Sequence, residues 1–286
     1  MTRQLFLPFI IGCVVGTSLN YAKNWWGFLL LFPWIGGCIS LGLFIASRLP
    51  RNEKDLGRRI SILLISPMFL LFLGIYQREN LQLEQTVFYL AAGVFSRVLI
   101  HYAVAKVFGP LIWGRGFCGW ACWTAAFLEW LPIRENTPIP KHFTLCRWII
   151  LLLSLAIPLA WIGSGYDYQQ RQLLEQYGKY DQLIWFLIGN GLYYLVAFVL
   201  AFLFRKKRAF CKIACPVSLV MKLPAHFARI RIRPSGVPCI ECRRCSRHCP
   251  MDVPIMEFIR ENKPVSSTEC ILCGACKHVC PVGAIK

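Results

Sequence analysis

Up to residue 204 the chain alternates between long apolar runs and short charged segments. A membrane-spanning helix needs about 20 predominantly apolar residues. Six runs approach that length: Gln4–Ala22, Trp26–Ala46, Ile60–Tyr76, Thr86–Val107, Leu145–Ile162 and Gln182–Phe204. They predict an all-α membrane bundle of about six spans. The segments between them differ in charge. Arg48, Arg51, Lys54, Arg58 and Arg59 follow the second run; Lys106, Arg115, Arg134, Lys141 and Arg147 follow the fourth; Arg205, Lys206, Lys207 and Arg208 follow the sixth. The alternate segments, Gln77–Gln85 and Ser164–Asp181, are poorer in positive charge, and the second carries Asp167, Glu175 and Asp181. Positive loops stay on the cytoplasmic side. The expectation is a multi-pass protein of a bacterial-type inner membrane, with both termini cytoplasmic.

Composition agrees with that reading. Charged residues make up 16% of the chain and hydrophobic residues 56%, where soluble proteins carry about 25% charge. The net charge of +18 lies between apolar runs, so it points to lipid and topology and away from nucleic acid. Ile11-Gly12-Cys13 resembles a lipoprotein cleavage box, but the apolar stretch before it is very short, and no cleavage is expected. From residue 205 the chain turns polar and basic, with 16 Lys+Arg less 5 Asp+Glu giving +11. This divides it into a membrane domain, 1–204, and a cytoplasmic domain, 205–286. Arg229, Arg231 and Arg233 alternate with Ile230 and Ile232, the pattern of a half-exposed strand, so the small domain is expected to be α+β.

That domain holds two cysteine runs of one spacing, Cys239-x2-Cys242-x2-Cys245-x3-Cys249-Pro250 and Cys270-x2-Cys273-x2-Cys276-x3-Cys280-Pro281. This is the bacterial two-cluster ferredoxin pattern, in which three thiolates of a tight loop hold three corners of one cubane and the fourth cysteine crosses to the other. One [4Fe–4S] cluster is therefore expected on Cys239, Cys242, Cys245 and Cys280, and a second on Cys270, Cys273, Cys276 and Cys249. Zinc sites favour Cys-x2-Cys pairs with long gaps between them.

Two further pairs, Cys118-x3-Cys122 and Cys211-x3-Cys215-Pro216, each follow a long apolar helix at its cytoplasmic end. Side chains four apart share a helix face, so two such pairs meeting give a four-thiolate site at the membrane surface. Soft thiolates suit an iron–sulfur cluster or copper(I), and thiol–disulfide chemistry is a third use. The structural alternative is a set of inert buried cysteines.

These motifs together resemble the NapH/MauN-type membrane quinol dehydrogenase family, which is related to the NosR C-terminal region and to CcoG-type proteins. The resemblance rests on Cys118/Cys122, Cys211/Cys215/Pro216 and both ferredoxin runs; Trp123 stands where the family motif has proline. It implies electron flow between the quinone pool and a partner redox protein. The CcoG branch implies instead a copper-reducing assembly factor, with the copper on Cys118, Cys122, Cys211 and Cys215. A non-catalytic redox-sensing subunit is a further reading. For a quinol site, Arg97 and His101 lie four apart within an apolar run, where ionisable residues are functional candidates. His101 would take the proton and Arg97 would orient a ring oxygen. Glu129 is a second proton-carrying candidate, and Asn190 is expected to bond between helices. His101 is the lone histidine within an apolar run, which argues against a bis-histidine haem. No Gly-rich nucleotide loop follows a strand.

Overall fold

The computed structural model describes residues 2–51, 53–133, 135–165 and 175–286, with side chains described from residue 5 in the first helix and from 180 in the last long one. Arg134 and Asp167, and the side chain of Glu175, lie outside what is described. The helices are α1 (Thr2–Lys23), α2 (Gly27–Arg48), α3 (Asp55–Pro67), α4 (Leu83–Ala91), α5 (Arg97–Tyr102), α6 (Gly109–Trp113), α7 (Gly116–Trp120), α8 (Trp123–Leu128), α9 (Cys146–Gly163) and α10 (Glu175–Leu203). Shorter ones follow: α11 (Ala209–Ile213), α12 (Val217–Val220), α13 (Lys222–Ala225), α14 (Arg244–Arg247), α15 (Ile255–Arg260) and α16 (Ala275–Val279). α3 continues without a break as a π-helix over Met68–Tyr76, and α5 runs into α6 through π-helical Ala103–Phe108.

Among the described residues five helices are long and apolar enough to cross a membrane: Leu5–Lys23, Gly27–Arg48, Asp55–Tyr76, Lys141–Gly163 and Tyr180–Leu203. The run expected as a fourth span, Thr86–Val107, is broken. Gly93 takes a left-handed φ of 66°, and Ser96 caps a new helix by accepting from the Val98 N–H at 3.3 Å. Contacts with α10 give the direction of the first piece. Gly74 of the α3 continuation meets Phe186, the Tyr89 hydroxyl donates to Gln182 at 3.1 Å, and the Glu84 carboxylate accepts from Tyr193 at 2.8 Å. Glu84 therefore lies farther along α10 toward Leu203 than Tyr89 does. After Tyr76 the chain dips back into the bundle, α4 climbs out again, and the α5–α6 segment descends. Such irregular backbone is tolerated at membrane depth where protein surrounds it. Asn80 and Gln82 at the bottom of the dip are buried, and Asn80 accepts from the Gln82 N–H at 3.0 Å. Lys106, read from the sequence as a loop charge, lies inside the descending segment and is buried.

No strand forms among the described residues, so the expected α+β character of the small domain is not found. Arg229 and Ile230 spend their N–H groups on the Ile112 carbonyl, while Ile232 accepts from Val265. With partners on different segments no ladder grows, and one antiparallel bridge remains, Pro234 with Ile285.

Candidate functional site

The two cysteine runs fold alike. Glu241 and Leu272, Arg243 and Gly274, and Asp252 and Gly283 occupy matching places in the two runs, and all six have positive φ. Four of these six positions hold residues other than the glycine that such backbone favours. The loop shape that turns three sulfurs inward is thus held twice over. Each run then crosses to the other: one cavity is lined by Cys239, Cys242, Cys245 and Cys280, and a second by Cys249, Cys270, Cys273 and Cys276. Cys249 and Cys280 lie just past the ends of α14 and α16. Burial pushes the Cys249 thiol up to about 12 and raises Cys270, Cys273 and Cys276, so loading these thiols with metal releases protons.

The other four cysteines meet as well, although they come from either side of the 204/205 boundary. Cys211 lies within electrostatic reach of Cys118 and Cys122, and Cys215 of all three. Burial raises the Cys211 thiol to about 11, with Arg208 opposing the rise. Among the described residues no three Cys, His, Asp or Glu side chains close on one point as they would around a single ion.

A buried ring of cations surrounds this site. Arg58, Lys106, Arg115, Arg147 and Arg208 are all at most 4% exposed. Arg208 donates to the Cys118 carbonyl at 2.8 Å, and Lys106 sits 3.1 Å from the centre of the Phe117 ring. Two acids answer them. Glu129 pairs with Arg208 at 2.5 Å and Arg58 at 3.2 Å. Glu269 pairs with Arg115 at 2.5 Å, Arg147 at 2.8 Å and Lys222 at 2.5 Å. Arg115 is 0% exposed, yet its Nε and Nη2 have no partner among the described residues. Buried charges are normally paired and hydrogen-bonded, so these donors, beside Cys118, Cys211 and Cys215, suit an anionic group held among the four sulfurs. A four-cysteine cubane is such a group, with sulfurs that accept hydrogen bonds.

The pairs are also docked to one ferredoxin run in particular. Trp120 donates to the Leu272 carbonyl at 3.1 Å, and the α-carbon of Gly119 lies against the Ile271 carbonyl, with no room for a β-carbon. Both acids that fasten the small domain adjoin cysteines of the second cavity. Glu269 precedes Cys270, and Asp252, three residues past Cys249, accepts from the Ile139 N–H of the membrane domain at 3.3 Å as well as from Lys206 and Lys212 at 2.6 Å each. Gly119→Ala is therefore expected to push the 270–273 loop off the membrane domain, costing about 1–3 kcal/mol as overpacking does. A lowered melting temperature of the detergent-solubilised protein would register it, and an unchanged one would contradict the contact.

Glu129 also sets a pH limit. Its burial favours the neutral acid, but Arg58 and Arg208 outweigh that and hold it at about 2. A carboxylate depressed below its unfolded value of about 4.3 stabilises fully above that pH and loses the contribution as pH falls toward its folded value. The melting temperature should hold from neutrality to about pH 5 and fall below about pH 4, and the fall should be shallower in Glu129→Gln.

The quinol-site candidates part company. Arg97 opens α5, pairs with Glu79 at 2.5 Å and covers the Trp25 ring at 4.2 Å. His101 lies half-buried among Phe69, Phe117, Trp123 and Tyr102, its buried Nε2 without a partner among the described residues. Asn190 accepts from Trp123 Nε1 at 3.1 Å, joining α10 to the tip that follows Cys122. The sequence pattern does not mark Arg115, Lys106 and Glu269 as parts of the site. For Arg115 and Glu269 the one available signal is their place next to cysteine motifs.

Comparison with known proteins places iron–sulfur domains at both sets of cysteines. Residues 238–285 match a 4Fe-4S dicluster domain, and residues 100–135 and 187–234 match a 4Fe-4S binding domain. The chain is similar to YccM of Escherichia coli, provisionally named an electron transport protein, with 25% identity over 63% of this chain and 53% of the relative. An uncharacterized protein of Methanocaldococcus jannaschii is 33% identical over 60% of this chain and 64% of its own length. Over 18% of each chain there is 37% identity to one component of an ion-translocating oxidoreductase complex of Methanosarcina acetivorans. The matched region thus spans about half to two thirds of the first two relatives. No solved structure matches the chain significantly.

Proposed function

We propose that this chain is a membrane-anchored electron-transfer protein with three [4Fe–4S] clusters, moving electrons between a membrane quinol and a soluble redox partner in the manner of NapH/MauN-type quinol dehydrogenases. The observation that carries it is the stacking of the four-thiolate site directly beneath the Cys270–Cys273 loop. In this reading Cys118, Cys122, Cys211 and Cys215 hold the cluster nearest the membrane. Cys249, Cys270, Cys273 and Cys276 hold the middle one, and Cys239, Cys242, Cys245 and Cys280 the outer one. Each cluster supplies one-electron chemistry when bound.

The residues around them do the remaining work. Arg115 and Arg208 offset the negative charge of the innermost site, and burial keeps water away from it. Glu269 and Asp252 hold the small domain in register. Ile240, exposed on the lining of the outer cavity beside Arg243, forms the exit toward the partner. Match of the 4Fe-4S binding domain to both Cys-x3-Cys segments supports a cluster there. The copper-reducing alternative is supported less, because the sulfurs do not close on a single point. The positive charge of the cluster-bearing segments supports a cytoplasmic side for the clusters. A short-chain hydroquinone should bleach the cluster absorbance of anaerobic protein in detergent, and a soluble one-electron acceptor should restore it. No exchange with any quinol or quinone would refute the quinone link.

A further inference from the structure

Glu84 is a carboxylate held near the middle of the bundle, and nothing in the relay described above uses it. Its Oε1 accepts from Ser154 of α9 and Tyr193 of α10, each at 2.8 Å. Ser154 stands eight residues into α9, and Tyr193 ten residues before the end of α10. At 1.5 Å per residue both positions are about 12–15 Å from the cluster-bearing ends of their helices, close to half the thickness of a bilayer core of about 30 Å. Its Oε2 is buried and has no partner among the described residues. Gln82, two residues earlier at the bottom of the dip, is 6% exposed and its Nε2 also lacks a partner among the described residues. These two groups, one acceptor and one donor, thus lie two residues apart on one re-entrant segment and meet α10 one turn apart, Gln82 at Gly189 and Glu84 at Tyr193. An unpaired carboxylate oxygen at this depth is costly and marks a functional site.

Its neighbours tie it to the thiolates. The phenols of Tyr102 and Tyr193 lie within electrostatic reach of both Glu84 and Cys215. A proton acceptor in the middle of the membrane beside a one-electron site suits a lipid-soluble carrier that gives up protons and electrons together.

We infer that Glu84, positioned by Tyr193 and Ser154 and flanked by Gln82, is the hydroquinone-binding and proton-accepting group of this protein, in place of the Arg97–His101 pair. The inference rests on the quinol reading above. Oxidation of one hydroquinone breaks two O–H bonds and yields a quinone, two protons and two electrons. The electrons would leave one at a time to an iron–sulfur cluster held by Cys118, Cys122, Cys211 and Cys215, a group that supplies one-electron acceptor chemistry when bound. Glu84 Oε2 takes the first proton, releases it, and takes the second. Asn80 and Glu79 continue the buried polar stretch from Gln82 toward the Arg97 end of the bundle, a route for both protons to leave.

The test uses full-length protein in detergent or lipid nanodiscs, with Glu84→Gln, His101→Ala and the wild type side by side. Glu84→Gln should keep its full iron and sulfide content and its bleaching by dithionite, while bleaching by a short-chain benzoquinol slows by about 10²–10⁴-fold, the usual worth of a positioned base. A photoreactive azidobenzoquinone should label the α4 segment in the wild type, and the redox-induced infrared difference spectrum should lose a carboxyl band in the variant. Unchanged benzoquinol kinetics in Glu84→Gln, or labelling and loss confined to His101, would overturn the inference and leave the quinol reading standing. Sodium-dependent behaviour of Glu84 without quinone labelling would overturn it as well, by making the site a cation site. A wild type that no quinol reduces would refute the quinol reading itself.

Discussion

Replacing Cys118 and Cys211 together by serine is expected to abolish quinol-driven reduction of the two ferredoxin clusters while leaving those clusters in place. The two residues come from different Cys-x3-Cys pairs, and both are buried, within electrostatic reach of each other and of Arg115. Serine removes the soft ligand and leaves a hydroxyl that binds iron poorly. The variant should therefore lose about four irons per chain, and electrons entering from the membrane should have no foothold before the middle cluster. Loss of quinol reduction with dithionite reduction preserved would separate a broken relay from a collapsed protein. Quinol reduction at the wild-type rate would show that the four-thiolate site is not on the path.

Glu269→Ala should produce the largest structural effect. This one carboxylate answers Arg115, Arg147 and Lys222, and those three cations converge from the turn before α7, from α9 and from α13. The pairing holds its carboxyl well below the usual carboxylate range, despite burial that opposes ionisation. Removing one member of a buried ion pair costs about 3–5 kcal/mol, because the other charge is left without compensation. Here two buried guanidiniums are left beside thiolates, and the loop bearing Cys270 loses its anchor. Limited proteolysis should cut the segment between Lys222 and Cys239 much faster in Glu269→Ala than in the wild type, with Glu269→Asp in between. An unchanged cleavage rate would mean that the apolar contacts of Phe117 and Ile271 suffice to hold the domain.

Much of this architecture is legible in the amino-acid order because it depends on spacing. The Cys-x2-Cys-x2-Cys-x3-Cys-Pro runs announce two cavities and their cross-over, and the cavity linings pair Cys280 with Cys239, and Cys249 with Cys270. The meeting of Cys118/Cys122 with Cys211/Cys215 is suggested by matched spacing after two apolar helices. What spacing does not reveal is where a hydrophobic run breaks. Thr86–Val107 reads as one span because Gly93 and Ser96 are tolerable within an apolar average; only their backbone shape splits it. With the break goes the depth of each residue. Arg97 reads as an intramembrane charge but has Glu79 beside it, whereas Glu84 reads as a loop acid and lies inside the bundle. Lys106 and Arg115 look like topology charges because hydropathy counts sign and not neighbours. The absent strand has a similar cause: alternation at residues 229–233 fits a ladder, but the available partners, Ile112, Val265 and Lys286, come from three separate segments.

The count of clusters is the most direct test of the central claim, that four cysteines at the membrane face continue the relay of the other eight. Full-length protein labelled with ⁵⁷Fe and purified anaerobically would be quantified for iron and acid-labile sulfide, and its Mössbauer spectrum recorded. Three [4Fe–4S] clusters, about 12 irons per chain, are expected, falling to two in the Cys118→Ser, Cys211→Ser variant. Two clusters in both proteins, with Cys118, Cys122, Cys211 and Cys215 open to alkylation once the wild type is unfolded without loss of further metal, would contradict it.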